Sequence, residues 1–313
     1  MKIIYMGTSE FAVPSLEALA ERHEVAAVVT QPDRPKGRSA KPAPSPVKEA
    51  AQRLGIEVLQ PESAKKKEFS ECLEQYGAEM FVVASYGQIL PKRLLDIPKY
   101  GSLNVHASLL PRHRGASPIQ TAIICGDETS GVTIMKMDRG VDTGDIFLKR
   151  EVPIDEADTA QTLHDKLALI GAEALIETIS LIENGEIEPR PQNNEEATHA
   201  GLLTKEMGLV DWSKTPRQIA DLVRGLDPWP GAWTTLSGEV LKIWKAAKVD
   251  FEISNNSVEG EIISVEKGVI VKVGNGAVRL LEIQSPGSKR MADIDYLKGR
   301  SIDVGMILGD ERL

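Results

Sequence analysis

Cysteine and aromatic residues are scarce in this chain, with two cysteines and 4% aromatics among 313 residues. Cys72 and Cys125 stand far apart with no C-x-x-C. That excludes a disulfide framework and a cysteine-based zinc site, and both read as plain packing residues. No apolar run approaches the ~18–20 residues needed to cross a bilayer, so no membrane span is expected. The opening MKIIYMGTSEF has one lysine and a short apolar stretch that reads as a buried strand rather than a leader, and a cytoplasmic chain is expected. Several catalytic signatures are also missing: the G-x-S-x-G elbow, H-E-x-x-H, and the deaminase pairing of H-x-E with P-C-x-x-C. MGTSEF holds only Gly7 and is not G-x-G-x-x-G, which argues against nicotinamide binding.

What is present is ordinary for a soluble chain: 42% hydrophobic and 27% charged residues, with a net charge of −9. A length of 313 residues makes two domains the expectation. From Lys205 onward, 15 Lys+Arg stand against 16 Asp+Glu, so that part is near neutral and the acidity lies before it. Overall charge therefore argues against a surface coated for nucleic acid but leaves local basic patches open.

The first half alternates short β-branched runs with helical patterns. KIIYM (2–6), EVAAVVT (24–30), MFVVASY (80–86), SLNVHAS (102–108) and GVTIMKM (131–137) are the candidate strands. This rhythm predicts an α/β, doubly wound, mostly parallel Rossmann-like sheet whose ligands sit beyond the carboxyl ends of the strands. Residues 154–185 carry helical spacing and end at Gly185; His164 within them reads as a surface or packing residue. The polar, aperiodic EIEPRPQNNEEATHAGLLTKE reads as a linker. The expected division is 1–189 for a catalytic domain, 190–207 for the linker and 208–313 for a second domain. After a helix at 215–226, that second domain offers AWTTL, VLKIWKA, EGEIISV, GVIVKV and AVRLLEI, five closely spaced strands that predict a small C-terminal β-barrel or sandwich.

The segment GSLNVHASLLPRHRGASPIQTAI (101–123) is the most informative. Asn104 and His106 are two apart, so both point to one face of a strand near its carboxyl end. Asp142 follows in MDRGVDTGDI, a loop after a strand, flanked by Gly140 and Gly144, which permit close backbone approach. On its own, Asn-x-His on a strand is more often a satisfied polar pair than a catalytic site. His113, across the loop, reads as solvent-facing.

In combination, Asn104, His106, Ser108, Leu109, Leu110, Pro111 and the later Asp142 closely resemble the folate-dependent formyltransferases. The family pattern is Asn-x-His followed by Ser-Leu-Leu-Pro, with a Gly/Asp loop about thirty residues on. The resemblance runs over essentially the whole chain, with no departure at the family's catalytic positions. It implies transfer of a formyl group from 10-formyltetrahydrofolate to an amine, with neither metal nor nicotinamide. Such a transfer passes through a tetrahedral intermediate with a developing oxyanion, to which Asn104 and His106 would present donors. Asp142 would support a protonated His106 and relay a proton from the attacking amine through water. Ser108, Leu109, Leu110 and Pro111 would help form the folate cleft, with Leu109 and Leu110 on the pteridine. The first-strand loop would border the acceptor. DPWPGAW (227–233) and KIWKAAKV (242–249) resemble the family's C-terminal barrel, of OB-like type.

Folate chemistry leaves several acceptors: a purine-ribonucleotide precursor, an amino-sugar nucleotide, water, or methionyl-tRNA. Between Gln31 and Lys48 stand Arg34, Lys36, Arg38, Lys41 and Lys48 against Asp33 alone. A basic, Pro-rich loop beside the site suits a polyanion, although basic loops are commonly mere solvated surface. QPDRP-KGR followed by SPVK resembles the substrate-recognition loop of the methionyl-tRNA formyltransferases, a branch of that family. It implies initiator methionyl-tRNA as partner, with Arg34, Lys36, Lys41 and above all Arg38 in contact. Lys242, Lys245 and Lys248 would line a basic face of the second domain, while Trp229, Trp233 and Trp244 read as packing residues. A formyltransferase acting on an amino-sugar nucleotide is the alternative; it would share both domains but not this loop. A monomer is expected.

Overall fold

A computed structural model describes residues 1–35 and 42–309. Lys36, Arg38 and Lys41, expected in the tRNA-contacting loop, lie outside the described residues. The chain divides into two compact units. One comprises Met1–Pro118, Thr129–Pro153 and His164–Ala200; the other comprises Ile119–Glu128, Ile154–Leu163 and Gly201–Leu313.

The first unit is built on a seven-stranded sheet. Its strands are Lys2–Gly7 (β1), Glu24–Val29 (β2), Val58–Leu59 (β3), Met80–Ala84 (β4), Ser102–His106 (β5), Thr129–Lys136 (β6) and Ile146–Pro153 (β7), in the order β7-β6-β5-β4-β1-β2-β3. β3, β2, β1, β4 and β5 are mutually parallel. All of β4 and five of the six β1 residues are buried, as expected of parallel strands covered on both faces. Ile4, Met6, Val29, Phe81 and Val83 build one core cluster with Leu73 of the helix Lys67–Glu74. Strand order reverses between β1 and β4, so this is the switch point beyond whose carboxyl ends a ligand crevice is expected.

Two features differ from the sequence reading. β6 pairs antiparallel with β5, and β7, which like β3 the sequence reading did not include, pairs antiparallel with β6. For β7 the reason is connection length: a loop of nine residues joins β6 to β7, whereas a parallel return needs a crossover of a dozen or more. The segment expected to be a linker is also folded in its first part. Arg190 and Ile146 exchange backbone hydrogen bonds at 2.8 Å in both directions, and His199–Ala200 pairs in parallel with Arg114–Gly115.

The second unit carries an antiparallel sheet: Ala232–Leu236 (β8), Glu239–Val249 (β9), Ile262–Ser264 (β10), Val269–Val273 (β11) and Gly276–Gln284 (β12), in the order β8-β9-β12-β11-β10, with Met291–Ala292 on β12. The segment 305–309 bridges the two free edges. Leu308 N donates to Gly260 O at 2.8 Å, and Gly309 N donates to Thr235 O at 2.9 Å. The sheet thereby closes into a small barrel, which removes exposed edges. Its interior is filled by Ile243, Ile262, Val271, Val278 and Leu280, capped by Ile219 and Val223 of the helix Pro216–Gly225. That helix begins with a capping box in which Thr215 and Gln218 satisfy each other's backbone amides.

Candidate active site

Asn104 and His106 lie on β5, the parallel-sheet strand that borders the antiparallel pair, and share its face by the two-residue repeat. Asn104 is half-buried and His106 buried. The loop after β6 delivers Asp142 to them. Asn104 Nδ2 donates to Asp142 Oδ1 at 3.3 Å, and His106 Nδ1 stands 3.6 Å from Asp142 Oδ2. The three residues expected to act together are thus brought together.

The Asp142 loop is held in shape by its own groups. Asp138 accepts from Gly140 N at 2.9 Å and from Thr143 Oγ1 at 2.7 Å, which pinches its base. Asp142 itself sits in the left-handed region at φ +55°. Gly144 is required there, because a Cβ would stand 1.7 Å from the Lys136 carbonyl oxygen. The carboxylate is anchored from the opposite side as well, where Gly115 N donates to Asp142 Oδ2 at 2.8 Å.

His106 Nε2 lies 3.1 Å from the carbonyl oxygen of His113. His113 was read as solvent-facing, and the structure corrects this: it is 5% exposed, at φ +57°, with its N–H donating to Thr198 Oγ1 at 2.8 Å. Its contribution comes from the backbone, which a residue-type pattern does not reveal. The turn Ser108–Pro111 is braced internally: Ser108 Oγ donates to Arg112 O at 2.7 Å, Thr133 Oγ1 donates to Ser108 O at 2.6 Å, and Leu110 N donates to Thr133 Oγ1 at 3.1 Å. The expectation that both leucines contact a pteridine is corrected for Leu110, which is fully buried; Leu109 is half-buried. Two packing assignments also change, since Cys125 and Trp229 are exposed, the latter at 54%.

A polar network missed in the sequence occupies the carboxyl ends of β1, β2, β3 and β4. Thr8 Oγ1 and Gln31 Nε2 both donate to Tyr86 O, at 2.9 and 3.2 Å. Gln60 Nε2 donates to Gln31 O at 2.9 Å and to Asp33 Oδ1 at 2.7 Å. Lys48 Nζ bonds Asp33 Oδ2 at 2.7 Å and Gln60 Oε1 at 2.8 Å. The hydrogen bonds from Lys48 first, and from Gln60 second, hold the Asp33 carboxyl below its ordinary range. Lys48 is therefore occupied by Asp33 and does not contribute its charge to an outward basic loop. Just beyond this latch, Arg34 and Pro35 pair with Ala43 and Pro42, and Arg34 is exposed. Isolated glutamines with no sequence period carry no signal of such a network.

On β9, Lys245 and Lys248 are exposed and Lys242 is half-buried. Lys242 Nζ lies 5.2 Å from the centre of the Trp244 ring, and Arg290 Cζ lies 3.3 Å from it. Trp244 is 7% exposed. Among the described residues, no group of three or more His, Cys, Asp or Glu is placed to hold a metal ion, and no helix is long and apolar enough to cross a membrane.

Two family models match the chain: formyl transferase over residues 1–179, and the formyl transferase C-terminal domain over 202–301. A methionyl-tRNA formyltransferase of Caldanaerobacter subterraneus is 51% identical over 310 residues, covering 98% of this chain and 100% of its own. One from Ruminiclostridium cellulolyticum is 49% identical, covering 99% of this chain and 100% of its own. Solved structures share the fold at lower identity. WlaRD, a sugar 3N-formyl transferase, has a TM-score of 0.67 at 21% identity, covering 92% of this chain and 99% of its own. HypX from Aquifex aeolicus in complex with tetrahydrofolic acid has a TM-score of 0.63 at 18% identity, covering 98% of this chain and 50% of its own.

Proposed function

The chain belongs to the formyl transferase family, and within it to the methionyl-tRNA formyltransferases, and from that membership we propose how its residues perform the reaction. The enzyme transfers the formyl group of 10-formyltetrahydrofolate to the free amine of initiator methionyl-tRNA. The amine nitrogen bonds to the formyl carbon, the bond from that carbon to the folate nitrogen breaks, and a proton moves from the amine to the departing nitrogen. The observation that carries the assignment of residues is the convergence of Asn104 and His106 on Asp142 at 3.3 and 3.6 Å.

Asn104 supplies an amide N–H to the oxygen that gains charge at the tetrahedral stage, where a preorganised donor is worth on the order of 10²–10³ in rate. With His106 Nε2 engaged by the His113 carbonyl, the Nδ1 edge is the one left to face substrate. The 3.6 Å gap to Asp142 exceeds a hydrogen bond, and so leaves that edge able to meet the reacting atoms. Asp142 accepts the proton lost by the amine, directly or through a water. None of these steps calls on a metal or a nicotinamide. The turn Ser108–Pro111 borders the folate cleft: half-buried Leu109 offers the side chain that reaches it, and the buried Ser108, Leu110 and Pro111 shape the turn.

The acceptor is held by two basic surfaces. Arg34, Lys36, Arg38 and Lys41 stand in the sequence between the latch partners Asp33 and Lys48, and the full-length likeness to methionyl-tRNA formyltransferases supports their contact with the acceptor stem. Lys245 and Lys248, exposed on β9, and Lys242 beside Trp244 offer charge to further tRNA phosphates. The reaction belongs in the cytoplasm with the translation machinery, one chain acting on one tRNA.

The test supplies 10-formyltetrahydrofolate with methionyl-tRNA, free methionine and an amino-sugar nucleotide in parallel. Formylation of methionyl-tRNA alone is expected. Formylation of the sugar nucleotide in its place would overturn the acceptor assignment.

A further inference from the structure

The segment between Gln192 and Ala200 holds Asp142 directly and His106 by way of the His113 backbone. Gln192 Nε2 donates to the backbone carbonyls of Asp142 at 2.9 Å and Gly144 at 2.7 Å. Its Oε1 accepts from Arg114 Nε at 3.1 Å and from Arg114 Nη2 at 2.7 Å. All four bonding positions of the amide are used, and the donors and acceptors around it allow only one orientation of the group. Arg114, 5% exposed, is held in turn by Asn194 Oδ1 at 2.8 Å. On the other side, Thr198 receives the His113 N–H at 2.8 Å, and His113 O is the acceptor at His106 Nε2.

Asp142 has a left-handed backbone, a conformation that costs a non-glycine residue free energy and persists only where its surroundings over-determine it. The two carbonyls that Gln192 holds flank the Thr143 peptide, so the amide fixes the direction in which the loop presents the Asp142 carboxylate. We propose that Gln192 is a positioning residue for formyl transfer: it touches no reacting atom but sets where Asp142 stands relative to Asn104 and His106. The inference rests on the reading of Asp142 as the proton acceptor.

Gln192→Glu and Gln192→Met separate this role from general support. Glutamate keeps its contact with Arg114 but turns an acceptor toward two carbonyl oxygens; methionine keeps the length and removes every polar atom. Steady-state kinetics with methionyl-tRNA and 10-formyltetrahydrofolate should show kcat lowered at least about tenfold in both, since a displacement near 1 Å can cost roughly 10²-fold. KM for either substrate should stay within about twofold, and the unfolding midpoint should move little. If one variant does not give folded protein, the other carries the measurement. Asp142→Asn, assayed alongside, keeps the two ideas apart. A fully active Asp142→Asn enzyme would remove the reading of Asp142 on which the inference rests. An inactive Asp142→Asn enzyme beside fully active Gln192 variants would overturn the role of Gln192 alone. A fall in kcat accompanied by equal changes in KM and unfolding midpoint would also overturn it, because that pattern marks loosened structure.

Discussion

Asp142 faces His106 with 3.6 Å between Oδ2 and Nδ1, while the same oxygen accepts the Gly115 N–H at 2.8 Å. The carboxylate is therefore fixed from the Gly115 side and open on the His106 side. A group arranged in this way is prepared to exchange a proton with substrate without first giving up its own anchor.

The pair should consequently fail as a unit. His106→Ala and Asp142→Ala should each lower kcat by more than about tenfold, a factor equivalent to ~1.4 kcal/mol in the barrier. Binding of methionyl-tRNA should hardly change, because the proposed interactions arise at the transition state. The double variant should be little worse than either single one, since residues that act together are not additive. Single-turnover rates and tRNA binding, measured on all three proteins, check this; retention of more than a tenth of wild-type kcat by either single variant contradicts the assigned roles.

Gly115 gives a structural route to the same site. Its φ is +121°, and a Cβ would lie 2.3 Å from the Ala200 carbonyl oxygen, a backbone atom with no flexible way to retreat. Gly115→Ala should destabilise the first unit by about 1–3 kcal/mol from backbone conformation alone. It should also pull the Gly115 amide away from Asp142. Thermal unfolding should show the lowered midpoint and kinetics the lowered kcat. An unchanged midpoint would mean that the His199–Ala200 pairing yields without cost.

The parts of this site that were legible in the sequence are those with a local pattern. The shared face of Asn104 and His106 was readable because a strand repeats every two residues, and the Asp142 loop because glycines flank it after β6; their catalytic reading came from the family resemblance. β7 escaped because FLKREVP is an edge strand of mixed polarity, whose pairing is decided by its neighbour. Gln192 and Thr198 escaped for a different reason. QNNEEAT is polar and aperiodic like any linker, and its bonds reach residues 78 and 85 positions away. The burial of His113 follows from those same long-range bonds, so it too has no local signature.

The proposed choice of acceptor rests most on the basic segment between Gln31 and Lys48, and Arg38 is the first residue of it to test. Arg38→Ala should lower kcat/KM for methionyl-tRNA severely while leaving folate binding nearly unchanged. Arg38→Lys should rescue only in part, because it restores charge without the planar fork that engages phosphate or base edges at two points. Activity measured across salt concentrations separates the two contributions, as phosphate contacts weaken with added salt. Wild-type efficiency of Arg38→Ala at every salt concentration would make the loop ordinary surface.

The latch between Asp33 and Lys48 has a pH signature. Lys48 and Gln60 bond the ionised form of Asp33, so its carboxyl titrates below the ordinary value of about 4 in the folded chain. A group depressed in this way contributes its stabilisation above the unfolded value and loses it as the pH falls through the folded one. The latch should therefore be intact at neutral pH and open only in acid. In Lys48→Met the larger of the two causes is gone, and the Asp33 titration, followed by carbon NMR of its carboxyl, should move up toward the ordinary range. The same variant should lower kcat/KM for methionyl-tRNA at pH 7, where the wild-type latch is closed, because Asp33 is then tied to the end of β3 through Gln60 alone. Asp33→Asn should do likewise, and the double variant should add little, since both substitutions remove one contact. If Lys48→Met leaves the Asp33 titration where it was, the carboxylate is held by other groups, and the coupling between latch and loop has no basis.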